Sequence, residues 1–225
     1  MKKRILGRGL AITLALAFSL AMLAAAIYLP ATANWIMRPL MEHYAPPEDT
    51  HLPAEEYAPM VDMITDYLKG DEVPFQHVFT VDGTEYAAFN QKEQAHMDDV
   101  QDLFRLCRFI AWLSWGFVLF GGLSTRRKIN WRTFRRTLLA ILAAVTALAI
   151  LACIDFDSLF ILFHKIAFTN DLWLLNPQTD LLIRLMPIEF FVSYAAIIGG
   201  AWLTGMVGLL ILSTIRIKKL QDKGV

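Results

Sequence analysis

Four long apolar runs constrain this chain more than any other feature. They cover residues 9–29, 103–123, 137–154 and about 190–215. At about 1.5 Å rise per residue, roughly 20 helical residues cross the hydrocarbon core of a bilayer. Backbone polar groups inside lipid must be satisfied within the segment, which selects helices for such runs. The chain is 56% hydrophobic, above the roughly 45–50% of soluble domains. The expected fold is therefore mainly α: a polytopic membrane four-helix bundle, with a small α+β extracytoplasmic cap between spans 1 and 2. The third run is alanine-rich and suits close helix packing.

Charge sorting orients these spans. Lys and Arg total 21 and so do Asp and Glu, giving no net charge. Fourteen acids lie between positions 48 and 102, where Lys69 and Lys92 are the only bases. The bases gather at 2–8, 126–136 and 216–223. Basic segments stay cytoplasmic, so both termini and the 124–136 loop are expected inside, and segments 30–102 and 155–189 outside. No basic block carries the interleaved aromatics of a strand-binding groove, so nucleic acid is not an expected partner. Residues 31–33 (Ala-Thr-Ala) resemble a signal-peptidase site. The preceding run exceeds the usual signal core of about 7–15 residues, which favours an uncleaved first helix.

The organisation expected is thus 1–29 as cytoplasmic start and first span, 30–102 as cap, and 103–225 as spans 2–4. Within the cap, Pro30, Pro39, Pro46, Pro47 and Pro53 suggest an extended path. Residues 54–68 have helical spacing, with Met60, Ile64 and Leu68 on one face. Pro59 suggests a start near itself, and Gly70 a stop. Residues 75–89 read as a hairpin turning at Asp82-Gly83.

One outer connection is too polar to be a plain linker. Residues 160–191 hold His164, Lys165, Asn170, Asp171, Asn176, Asp180, Arg184 and Glu189 among large apolar side chains. Asn and Asp are costly in lipid unless satisfied. All five histidines fall outside: His43, His51, His77, His96 and His164. The first three read as incidental cap residues. His96 precedes the second span and His164 follows the third, so a four-helix bundle brings both to one face. Histidine both takes and gives protons near neutral pH. Asp99, three residues after His96, shares its helix face. It suits either an imidazole orienter or a helix N-terminal charge. The bland reading of 160–191 is an amphipathic interfacial connector with a chance histidine.

Other chemistries lack their signatures. HExxH, GxSxG, GxxxxGK[ST] and GxGxxG are absent. No third ligand of metal-type spacing accompanies the two histidines, so no metal is expected. Cys107 and Cys153 lie in apolar runs without CxxC spacing and read as small membrane-embedded hydrophobes.

The residues resemble a known family. His96-Met97-Asp98-Asp99-Val100 stands just before the second span. Phe163-His164, Phe168, Asn170, Trp173, Leu175 and Pro177 follow the third, continuing through Asp180, Ile183 and Pro187 to Glu189-Phe190-Phe191. With the four-span layout, these resemble the bacterial lipoprotein intramolecular transacylases over nearly the whole chain. Asn176 departs from the acidic residue of the family pattern. The resemblance implies a membrane acyltransferase acting on diacylated bacterial lipoproteins within the lipid bilayer. It would move the sn-2 acyl chain of the diacylglyceryl-cysteine to the cysteine α-amino group, giving the lyso form. An amine attacking an ester within one substrate needs proximity, proton transfer and oxyanion stabilisation, and no cofactor. His96 and His164 are the candidate acid and base, with a covalent acyl-histidine route also open. Asp99, Asn170 and Asn176 are candidates for supporting them or the oxyanion. A non-enzymatic sensor or assembly protein, binding a ligand through its cap, is the competing reading.

Overall fold

The computed structural model describes residues 2–50, 52–71, 74–125 and 129–223. His51 and the 126–128 part of the basic loop lie outside the described residues. The chain is mainly helical. In order it forms α1 (Lys2–Ala31), α2 (Asn34–Tyr44), α3 (Pro47–Thr50), α4 (Ala54–Lys69), β1 (Val78–Val81) and β2 (Thr84–Ala87). Then come α5 (Gln91–Thr125), α6 (Trp131–Ile154), α7 (Phe156–Ala167), α8 (Leu181–Leu185) and α9 (Ile188–Gln221). Four stretches are long and apolar enough to cross a membrane: Leu6–Ala31, Gln91–Ser124, Trp131–Ile154 and Ile188–Gln221. These coincide with the four apolar runs.

The chain divides into two compact units. One comprises Met1–Ala26, Arg108–Asp155 and Ile198–Val225. Its buried apolar centre is Ala11, Leu14, Ala15, Phe134, Leu138, Trp202 and Met206. The polar edge of Trp202 is satisfied by donation to the Ser19 carbonyl at 3.2 Å. Met22 packs against Gly205, where a Cβ would stand 2.3 Å from Met22 Cε and displace the end of that side chain. Asn130 caps α6 by accepting from the Thr133 amide at 2.9 Å, a role suited to its short side chain.

The other unit, Ile27–Cys107 and Phe156–Ile197, carries the polar chemistry. Its centre is built from Met37, Met41, Tyr57, Met60, Ile64, Phe75, Phe89, Leu185 and Phe190. The 30–50 stretch differs from the extended path expected of it: it forms α2 and α3. Met37 and Met41, one turn apart, are both buried, and that apolar face outweighs the amide missing at Pro39. Pro47 occupies the first position of α3, where its missing amide costs nothing. Similarly, α4 begins at Ala54 rather than near Pro59. Tyr57, Met60, Val61, Ile64 and Leu68 bury one continuous face, and that face carries the helix through the proline. Gly70 closes α4 with φ +90°, a left-handed conformation that favours glycine. The hairpin pairs Val78 with Ala87 and Val81 with Thr84. Asp82 and Gly83 both take positive φ, as a type I′ turn demands.

Candidate active site

His96 sits in the second turn of α5, and α5 runs unbroken from Gln91 through the second apolar run. His164 lies in the last turn of α7, a helix set off from α6 at Asp155. The two imidazoles, 68 positions apart in sequence, come together with ring centroids 6.2 Å apart. His96 is 7% exposed and His164 8%.

Aromatic rings enclose the pair. Around His164 stand Phe160 at 4.2 Å, Trp173 at 5.0 Å, Phe163 at 5.3 Å and Phe168 at 5.6 Å. Phe168 also meets His96 edge-on at 5.2 Å. Helical spacing explains Phe160, which is four residues before His164 on one face. Phe168 and Trp173 arrive through the turn after α7.

The hydrogen bonding of His164 assigns its tautomer. Nδ1 lies 2.7 Å from the Phe160 carbonyl oxygen. A carbonyl only accepts, so Nδ1 carries the proton and the neutral ring presents its lone pair on Nε2. Burial pushes the His164 pKa below its ordinary 6.5, partly offset by the Phe160 carbonyl, which favours the charged ring. The ring is therefore a neutral base at pH 7. His96 differs, since its buried Nδ1 has no hydrogen-bond partner among the described residues. An unmet buried polar atom costs about 1–3 kcal/mol, so His96 holds this nitrogen in place at the expense of stability.

The supporting residues divide. Asn170 Nδ2 donates to Asp99 Oδ2 at 2.9 Å, so these two meet each other. Asn170 Oδ1 accepts from the Leu172 amide at 3.1 Å, closing the turn that carries Trp173. Asn176 takes no part in the histidine cluster. Its Oδ1 accepts from the Gln178 amide at 3.0 Å, the turn-forming habit of asparagine. Among the described residues no group of three or more His, Cys, Asp or Glu side chains is arranged to hold a metal ion.

A buried polar knot absent from the sequence reading joins α5 to the segment beyond Trp173. Glu93 is 1% exposed and Asp180 5%. Glu93 Oε2 accepts from the Asn90 amide at 2.8 Å, while Asn90 Oδ1 accepts from the Glu93 amide at 3.1 Å. That is a reciprocal capping box at the start of α5. The other carboxylate oxygen, Oε1, accepts from the Leu182 amide at 2.6 Å, so one side chain caps both α5 and α8. Asn90 Nδ2 also donates to Asp180 Oδ1 at 2.9 Å. For Asp180, burial alone would raise the pKa. Bonds from the Asn176 amide, the Thr179 hydroxyl and Asn90 outweigh it and hold the carboxyl below its usual value. The signal for this knot was present in the sequence, because Asn90-x-x-Glu93 before an apolar helix is a capping pattern.

A cavity of about 370 Å³ is lined in part by Phe168 and Trp173, two of the rings that enclose His164. Four membrane-length helices and two buried, ring-enclosed imidazoles with a free proton acceptor define an integral-membrane, multi-pass enzyme. Within that class, the model of the lipoprotein intramolecular transacylase Lit matches residues 12–191, and the chain belongs to that family. The competing reading of a non-enzymatic sensor falls with that membership. Among solved structures, the fold is similar to the membrane-integral Lit of Bacillus cereus, with a TM-score of 0.78 and 21% identity, over 96% of this chain and 98% of that one. Two forms of the B. cereus protein with a single histidine replaced match with a TM-score of 0.75 and 21% identity each. The arginine form covers 97% of this chain and 95% of its own, and the alanine form 96% of each. No curated protein matches significantly in sequence.

Proposed function

We propose that the protein moves the sn-2 acyl chain of a lipoprotein's diacylglyceryl-cysteine to the α-amino group of the same cysteine, with His164 as general base and His96 as general acid. The observation that carries this reading is the neutral His164 ring, held through Nδ1 by Phe160 and 6.2 Å from His96.

In the reaction, the α-ammonium gives one proton to His164 Nε2. The amine nitrogen then attacks the ester carbonyl carbon, and an N–C bond forms as charge develops on the carbonyl oxygen. Collapse breaks the bond to the sn-2 glycerol oxygen, which takes a proton from His96. Of the two protons then left on the nitrogen, one passes to His164 Nε2, which has released the first to solvent, and the other is the ordinary amide N–H. Passing the proton held on His164 to His96 through about one water resets the pair. Amine and ester belong to one molecule, so the enzyme's contribution is orientation and proton traffic. The aromatic enclosure keeps bulk water from competing with the amine.

The active site faces the extracytoplasmic side, and both termini are cytoplasmic. The basic ends and basic 124–136 loop, against fourteen acids between positions 48 and 102, support that orientation. Single cysteines placed in the hairpin and at the C-terminus, probed with a membrane-impermeant thiol reagent, test it.

Mass spectrometry of lipoprotein N-terminal peptides tests the chemistry, using cells that express the protein or its His96→Ala/His164→Ala double variant. N-acylated lyso-form peptide is expected only with the unsubstituted protein. Acyl migration that persists without both imidazoles overturns the mechanism.

A further inference from the structure

The reaction proposed above requires the α-amino group to reach His164 Nε2, because Nδ1 is committed to Phe160. Near pH 7 that group is mostly an ammonium, with an unperturbed pKa of about 7.7–8.0. The cavity of about 370 Å³ has features suited to a cation. Its wall includes Phe168 and Trp173, and both rings also meet His164, Trp173 with its centroid at 5.0 Å and Phe168 at 5.6 Å. Indole is the strongest aromatic host for a cation, acting within about 6 Å of its centroid. Asp171 lines the same cavity, as does Lys165, so the lining carries one residue of each charge sign. Asn170, a third polar lining residue, already spends its amide on Asp99.

We infer that this cavity is the docking site of the substrate's α-ammonium group, held on the Trp173 face with Asp171 as its counter-ion. The inference rests on the transacylase reading above and specifies where the nucleophile waits. Docking there sets the amine one ring away from His164, since Phe168 and Trp173 both line the cavity and meet the imidazole. It also explains a tryptophan at this position, where a purely apolar wall needs only another aliphatic side chain. Lys165 and Asp171 carry opposite charges on one lining, so the two residues act in opposite senses on a bound ammonium.

The test uses the purified full chain in mixed lipid–detergent micelles, with a synthetic S-diacylglyceryl-cysteinyl peptide whose N-acylated product is followed by mass spectrometry. Trp173→Leu should raise KM about tenfold, and Trp173→Phe should recover most of that loss. Asp171→Asn should raise KM about threefold, and Lys165→Met should lower it. The reverse signs for the two charge variants mean the cavity takes an anion, which overturns the inference. So does an unchanged KM across the set. Should Trp173→Leu fail to fold, inhibition of the unsubstituted protein decides. Decylamine should compete with the lipopeptide where decanol does not, and equal inhibition by both overturns ammonium docking. Absence of N-acylated product from the unsubstituted protein would instead refute the proposed function itself.

Discussion

Asn170 donates from Nδ2 to Asp99 Oδ2 at 2.9 Å, across 71 positions of sequence. The bond ties the turn after α7 to α5 one turn beyond His96. It is exposed, so its share of stability is small, about 0.5–1.5 kcal/mol. Its value is positional, because it registers the element bearing Phe168 and Trp173 against the helix bearing His96. Asp99→Ala and Asn170→Ala should each lower kcat about tenfold, given the steep cost of misplacing reacting groups, with little change in thermal midpoint. The double variant should be no worse than either single one. Additive losses in a double-mutant cycle would show that the two side chains act separately.

Replacing His164 by alanine removes the proton acceptor and should lower kcat about 10²–10⁴-fold. His164→Asn should be nearly as inactive, because an amide can meet the Phe160 carbonyl but offers no base. Single-turnover formation of the N-acyl peptide measures both. Retained activity in His164→Asn would remove the imidazole from the proton transfer.

The pH profile follows from the reacting forms, neutral His164 and bound ammonium. Burial holds the His164 pKa below 6.5, so the acid limb of kcat/KM should fall below that value. The alkaline limb should follow the amine near about 8, giving a bell. The same shift bears on stability. A histidine whose folded pKa is depressed binds fewer protons folded than unfolded, so its stabilising contribution is present above 6.5 and lost as pH falls through the folded pKa. Thermal midpoints across this range should decline toward acid, and less so in His164→Phe.

Glu93→Ala strips acceptors from two amides at once, the part-buried one of Asn90 and the buried one of Leu182. Loss of bonds to a charged acceptor should cost about 3 kcal/mol or more, read as a lower thermal midpoint in detergent. Glu93→Gln should recover only part, because one of its two terminal atoms is a donor facing an amide donor. Glu93→Asp is too short to span both helices and should resemble alanine.

Much of the fold was legible because its signals are local. Hydropathy over 20-residue windows located the four long helices, and the turn chemistry of Asp82-Gly83 located the hairpin. Prolines misled where tertiary burial outweighed them. Met37 and Met41 pull the chain around Pro39 into α2, and no local rule weighs a core that forms only on folding. The approach of His96 and His164 was legible because bundle topology brings those helix ends together. Asn176 was selected for the cost of an asparagine near lipid, and its side-chain oxygen meets that cost by accepting from the Gln178 amide. Glu93 was passed over as one acid among fourteen.

By itself the sequence determined that the chain is a four-span membrane protein and that two imidazoles belong on one face. Those properties follow from apolar length, charge sorting and helix order, which are additive along the chain. Only the tertiary structure decided which nitrogen of His164 is free, that Phe160 holds the other, and that Glu93 caps two helices. Only the tertiary structure, too, set Trp173 against the His164 ring. Each of those depends on directional contacts of a few ångströms between residues far apart in sequence, and spacing along the chain carries no record of direction.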